Sequence, residues 1–309
     1  MRPRLEREPT MDPVRASAQI HLKSILFLTD FSEPSAAALP YAITVARKYG
    51  ATVHAVHVLT PEPYVYTTPG LASLAAEAKE ESAQNEMQMV ESALAGVSRE
   101  VSILRDVAVW PAFERAMREC NADLIVLGTH GRTGEEKTLL GSVAEEMFRR
   151  SRVPVLTIGP QVNRQVHNAG RFHCVLLATD FSPESAVAAP YAISLAQESK
   201  ARLVLLHVIH KRGLVEKAAS PELSVANAMY QLHELLPPDA ESWCRPEAVV
   251  AYGEPAERIL HAARDRDADL IVLGVRDAAG HLAAATHLER TTAHKVVARA
   301  KCPVLTVRG

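Results

Sequence analysis

The chain contains its own copy. Ile25-Leu26-Phe27-Leu28-Thr29-Asp30-Phe31-Ser32 returns as Val175-Leu176-Leu177-Ala178-Thr179-Asp180-Phe181-Ser182. The same offset carries Pro40-Tyr41-Ala42-Ile43 onto Pro190-Tyr191-Ala192-Ile193, and Val56-His57-Val58 onto Leu206-His207-Val208. Further on, DLIVLG stands at 123–128 and again at 269–274, and VPVLTI at 153–158 returns as CPVLTV at 302–307. A repeat of this length requires one structural plan used twice. With 309 residues it implies two domains. The expected division is a tail at 1–20, a first domain at 21–159, a polar linker at 160–171 and a second domain at 172–309. The N-terminal stretch is charged and proline-bearing without an apolar core, so it reads as a flexible tail and not as a signal peptide.

Within the first copy, apolar runs alternate with helical segments. Strands are expected at Leu22–Thr29, Thr52–Leu59, about Val101–Val107, Asp123–Leu127 and Val155–Ile158. Ser32 can cap the first helix, with Pro34 in its first turn and Gly50 ending it. Pro40 lies inside that helix and should kink it, because it cannot donate to the Ala36 carbonyl. Leu71–Leu94 reads as a long amphipathic helix. Another helix opens at Pro111, and one more spans Ser142–Arg150. The second copy follows this plan, but Pro221 and Pro237-Pro238 predict a shorter or broken helix within 211–236. Near-continuous apolar strands alternating with helices mean α/β architecture, each domain a five-stranded parallel sheet flanked by helices. Ligands of such sheets bind beyond the carboxyl ends of the strands where the order reverses, between strands one and four if the order is 3-2-1-4-5.

Composition removes several classes. A formal charge of −2 leaves no basic footprint for nucleic acid. No apolar run approaches the ~20 residues of a membrane span. The four cysteines are scattered, without metal spacing, as suits a reducing cytoplasm. His54/His57 and His207/His210 would point to opposite faces of a strand, which argues against a protein-built metal site.

After the strand at 123–127 comes GTHGRTGEEKTLLGSV, with glycines at 128, 131 and 141, and Ser142 opening a helix. Glycines allow close backbone approach. A helix N-terminus carries roughly half a positive charge and open N–H groups, so the loop reads as a phosphate cradle. It is neither a Walker A loop nor a G-x-G-x-x-G fingerprint. The spacing G-x2-G-x9-G-S resembles the ATP-binding signature of the universal stress protein family, and every position matches.

That resemblance covers about Leu22 to Val307 as a tandem pair. It implies Rossmann-like or flavodoxin-like domains that bind ATP in stress tolerance. By the same resemblance, Thr29, Asp30 and Val58 would surround the adenine, with Leu127 and Gly128 near the ribose. Gly131, Gly141, Ser142 and Val143 would hold the phosphates. Asp30 could instead cap the next helix or order the turn. Arg132 and Lys137 could neutralise phosphate, or lie solvated beside Glu135 and Glu136. Mg²⁺ could arrive with the phosphates. In the second copy, Asp277 replaces the second glycine and Arg290-Thr291 replaces Gly141-Ser142, while Asp180 and Val208 persist. One ATP site per chain, in the first domain, is therefore expected.

Family members dimerise, often through their fifth strands. The short edge strands Val155–Ile158 and Pro303–Val307 could pair within this chain as an intramolecular pseudo-dimer, and homodimerisation beyond that is a further expectation. Three function classes follow. An ATP-binding regulator leads. A slow ATPase or nucleotide hydrolase is second, since no base is placed for water at the γ-phosphate. A nucleotide-free partner-binding scaffold is third. The expectation leans against an enzyme.

Overall fold

The computed structural model describes residues 20–61, 69–129, 141–162, 172–210, 221–276 and 291–309. The expected tail (all but Ile20), most of the expected linker, and Gly131, Arg132, Lys137, Asp277 and Arg290 lie outside the described residues.

In chain order the first half has β1 Ser24–Leu28, α1 Glu33–Tyr49, β2 Thr52–Leu59, α2 Pro69–Ala93, β3 Ser98–Arg105, α3 Val109–Glu119, β4 Leu124–Gly128, α4 Ser142–Arg150 and β5 Val155–Ile158. The second half has β6 Cys174–Thr179, α5 Pro183–Ala186, α6 Ala189–Ser199, β7 Arg202–Ile209, α7 Pro221–Glu234, α8 Ala240–Trp243, β8 Glu247–Tyr252, α9 Pro255–Asp265, β9 Leu270–Val275, α10 Thr292–Arg299 and β10 Val304–Arg308.

Each half orders its strands as expected, but the sheets do not stay separate. They form one ten-stranded sheet, β3-β2-β1-β4-β5-β10-β9-β6-β7-β8. Every neighbouring pair within a half is parallel. The single antiparallel pair described is β5 with β10, in the register Val304↔Thr157, Leu305↔Leu156, Thr306↔Val155. Two Thr hydroxyls lock it: Thr157 Oγ1 donates to the Val304 carbonyl at 3.0 Å, and Thr306 Oγ1 to the Val155 carbonyl at 3.3 Å.

Burial follows position in the sheet. All residues of β1, β5 and β6 are buried, whereas the outermost β3 and β8 are exposed to half-buried throughout. One apolar cluster runs across both halves, joining Val45, Leu124 and Leu156 to Leu195, Leu270 and Leu305. The Tyr41 and Phe172 rings stack within it at 6.5 Å. Helix limits obey their caps. Ser32 accepts from the Ser35 amide, and Gly50 ends α1 in the left-handed region at φ 65°.

The repeated proline acts differently in the two halves. Pro40 is accommodated inside a continuous α1, whereas the equivalent helix is interrupted between Ala186 and Ala189, with Pro190 in the first turn of α6. Proline leaves one carbonyl without its helical donor in both halves. Val187, β-branched where α1 has Ala37, adds to the cost in the second. Within 211–236, where a shorter or broken helix is expected, the described residues form one shorter helix, α7, which Pro221 opens and which ends at Glu234 before Pro237-Pro238; residues 211–220 lie outside the described residues.

Candidate functional site

Strands β1 and β4 lie side by side where the strand order reverses, so the residues after both converge at one end of the sheet. The turn after β1 is tightly specified. Thr29 is buried, and its Oγ1 accepts from the Phe31 amide at 3.0 Å and lies 3.1 Å from the Ser35 hydroxyl. Asp30 Oδ1 accepts from the amide of Ser32 at 3.0 Å and from its hydroxyl at 2.5 Å. The turn-ordering role considered for Asp30 is thus present in the structure. Since Asp30 is only half-buried, its carboxylate also borders solvent at the strand end.

This turn puts Phe31 in the left-handed region at φ 61°, a conformation costly for a residue with a Cβ. Its ring then meets that of His57, with centroids 4.3 Å apart. His57 Nδ1 stands 2.8 Å from the Thr29 carbonyl. A carbonyl only accepts, so Nδ1 carries the hydrogen. Neither Phe31 nor His57 was assigned a role from sequence. The available signal was their joint recurrence as Phe181 and His207.

Val58 is half-buried on β2 and packs against the cluster that holds Leu127 and Met147. Leu127 is buried in that cluster, with Val143 packed on it from α4. Beyond β4, the Gly141 amide donates to the Thr129 carbonyl at 2.6 Å, which sets the start of α4 beside the end of the strand. Gly141 is the N-cap, with φ −61°, and the Glu145 amide is the first to return to it. The Ser142 and Val143 amides have no acceptor within the helix, and the Ser142 side chain is exposed. Gly141 spends its own N–H on Thr129, so the first-turn amides without a helical acceptor are those of Ser142, Val143 and Ala144, of which Ser142 and Val143 belong to the expected phosphate set.

Thr29, Asp30, Val58, Leu127, Gly128, Gly141, Ser142 and Val143 therefore gather around the carboxyl ends of β1, β2 and β4. The donor set suits an adenine nucleotide: a carboxylate at one end, an open helix N-terminus at the other, and apolar side chains between.

The second half rebuilds the same turn. Thr179 Oγ1 lies 2.9 Å from the Ser185 hydroxyl, and the Phe181 and His207 rings stack at 4.4 Å. His207 Nδ1 donates to the Thr179 carbonyl at 2.9 Å. Burial holds the His207 imidazole below its ordinary pKa, against the pull of that hydrogen bond and of Asp180. One difference is local. Arg276 reaches Asp180 at 3.8 Å, where the first half has His130 at the corresponding position. Burial alone would raise the Asp180 carboxyl. The Ser182 hydroxyl and amide, the Ser185 hydroxyl and Arg276 outweigh it and hold it below its ordinary value.

Both halves match the model of the Universal stress protein family, over residues 21–159 and 171–308. The chain belongs to the universal stress protein family. A universal stress protein of Methanocaldococcus jannaschii is 35% identical over 139 residues, 44% of this chain and 81% of that protein. One of Thermus aquaticus is 35% identical over 148 residues, 44% of this chain and 99% of that protein. A solved universal stress protein from Archaeoglobus fulgidus superposes with a TM-score of 0.68 at 24% identity, covering 93% of this chain and 97% of that one, a likeness of fold. Among the described residues, no helix is long and apolar enough to cross a membrane.

Proposed function

We propose that this universal stress protein is an ATP-binding regulator of a cytoplasmic stress response, with one nucleotide held by the first half. Thr29, Asp30 and Val58 receive the base, Leu127 and Gly128 flank the ribose, and Gly131, Arg132, Gly141, Ser142 and Val143 hold the phosphates, with Mg²⁺ carried in by them. The observation that carries this reading is the N-terminus of α4, opened at Ser142 and Val143 beside the strand end that bears Asp30. Residues 21–159 and 172–309 act as two domains paired through β5 and β10 as an intramolecular pseudo-dimer, and homodimerisation of the whole chain goes beyond that. Binding rather than turnover is proposed. Asp30 already orders the Ser32 turn and stands at the base end, away from where a γ-phosphate would meet water.

The test is the nucleotide content of the freshly purified chain, released by acid, followed by ATP titration and a phosphate-release assay. One ATP per chain, lost in Gly141→Arg, is the expected result. Two per chain would show that the second half binds as well. No binding at millimolar ATP would overturn the proposal in favour of a scaffold, and steady phosphate release lost in Gly141→Arg would favour a hydrolase.

A further inference from the structure

Helix α4 begins at the candidate phosphate site and ends against the other half of the chain. Its last turn carries Phe148, whose side chain is buried in the second half's core with Val297, Ala300 and Val304. The Phe148 ring meets that of His294 on α10 edge to face, at 6.4 Å.

The Met147 carbonyl accepts from the Ser151 amide, and the carbonyls after it have no helical donor of their own. Arg308, at the end of β10, supplies one from the other half. Its Nη2 donates to the Phe148 carbonyl at 2.5 Å and its Nε to the Ser151 carbonyl at 2.9 Å. Its Nη1 donates to the carbonyl of Arg276, just past β9, at 3.1 Å. A guanidinium at a helix C-terminus combines charge-assisted hydrogen bonds with a favourable interaction with the helix dipole.

The reverse contact differs in its residue. The residue equivalent to Arg308 is Gly159, at the C-terminus of α10. A Cβ there would stand 3.3 Å from the Val297 carbonyl oxygen and 3.6 Å from that of Ala300. These are the counterparts of Phe148 and Ser151. The two halves are thus related by a repeat, yet among the described residues this strand end presents a guanidinium to α4 and a glycine to α10. Helix α4 is also the one whose N-terminus keeps the Gly-Ser pair.

We infer that Arg308 is a positioning residue for the candidate nucleotide site, fixing the phosphate-bearing helix α4 from the opposite half and tying it to the strand end that carries Arg276. The inference rests on the proposed nucleotide reading. It makes ATP affinity in the first half depend on a residue of the second that touches no ligand.

The test uses the full chain with Arg308→Gln and Arg308→Lys. ATP affinity is measured by titration and helix opening by amide hydrogen exchange over residues 142–150. Arg308→Gln should weaken ATP binding by about three- to thirtyfold, the range of mutations that act through packed contacts. Arg308→Lys, which keeps the charge and loses the fork, should fall between it and the unaltered chain. Exchange should rise in α4 while β4 and β9 stay protected, whereas general destabilisation would raise it in all three. Affinity within about twofold of the unaltered chain would overturn the inference. If the unaltered chain binds no ATP, the nucleotide reading fails and exchange alone judges the clamp. A rise confined to α4 upholds it, and unchanged or general exchange overturns it.

Discussion

A Cβ on Gly128 would stand 2.6 Å from both the carbonyl carbon and oxygen of Pro34, because the last residue of β4 abuts the first turn of α1. The second half repeats the contact, with a Cβ on Gly274 falling 2.3 Å from the Glu184 carbonyl oxygen. The atoms in the way are backbone, which cannot rotate aside. Gly128→Ala and Gly274→Ala should each lower the unfolding free energy by ~1–3 kcal/mol, the usual cost of overpacking. Denaturant titration checks this, and midpoints equal to the unaltered chain's would show that the helices shift freely. The contact also gives Gly128 a reason to be glycine that needs no ligand.

Much of this architecture was legible in sequence because local signals agreed with the global plan. Strands β2 and β5 and helix α4 keep the limits read from their apolar runs and from Gly141-Ser142. Asp30 was visible as the residue after a buried strand. The contact between Phe31 and His57 was not, since it depends on a left-handed backbone at a phenylalanine, which no side-chain pattern dictates. The Arg308 clamp was equally hidden. It exists because β5 and β10 pair antiparallel, carrying each strand end to the other half's helix, and a repeat predicts two similar units without fixing their mutual register. The unequal treatment of Pro40 and Pro190 turns on neighbouring residues whose individual effects are a fraction of a kcal/mol.

The two halves share tyrosines that should make the fold alkali-sensitive. Tyr49 Oη lies 3.0 Å from the Ser194 hydroxyl across the halves. Burial pushes the Tyr49 phenol up to about 12, against the pull of that hydrogen bond, and burial does the same to Tyr41, also about 12. The folded chain therefore keeps both phenols neutral where an unfolded chain would ionise them near pH ~10. Their contribution is intact below pH ~10 and lost as pH rises from there toward ~12. The denaturation midpoint should fall over that window, with phenolate absorbance appearing as the chain unfolds. Tyr49→Phe should flatten the fall, and an unchanged slope would refute the assignment.

Acid should act through His207 and Asp180. His207 has its pKa lowered by burial, so the unfolded chain takes up the proton first as pH falls below ~6.5, and stability drops with it. Asp180 is held below its ordinary value, so its contribution is present above ~pH 4 and lost below that; its exposure beside Arg276 keeps that contribution small. His207→Asn, whose amide can still donate to the Thr179 carbonyl, should reduce the loss of stability between pH ~7 and ~5. Guanidinium titrations at several pH values measure it, and parallel curves for the two chains would exclude His207 as the titrating group.

The continuous sheet predicts that the halves unfold together. Thr157 and Thr306 cross-bond the central pair β5–β10, and the shared apolar cluster runs through both halves. The chain has two tryptophans, Trp110 on α3 of the first half and Trp243 on α8 of the second. Trp110→Phe and Trp243→Phe therefore give chains whose fluorescence reports one half each. Their denaturation midpoints should coincide. Adding Thr157→Val, which removes the buried hydroxyl donor to the Val304 carbonyl, should shift both curves together by about 1 kcal/mol, the usual worth of one hydrogen bond. Two separated transitions would mean that each half is stable alone and that the antiparallel pair joins finished domains. A shift in the Trp110 curve alone would mean that the strand pair supports only the first half. Coincident transitions moving in step would instead make β5–β10 an obligatory part of one folding unit, as expected when a parallel sheet gains its inner strands on both sides only by joining its copy.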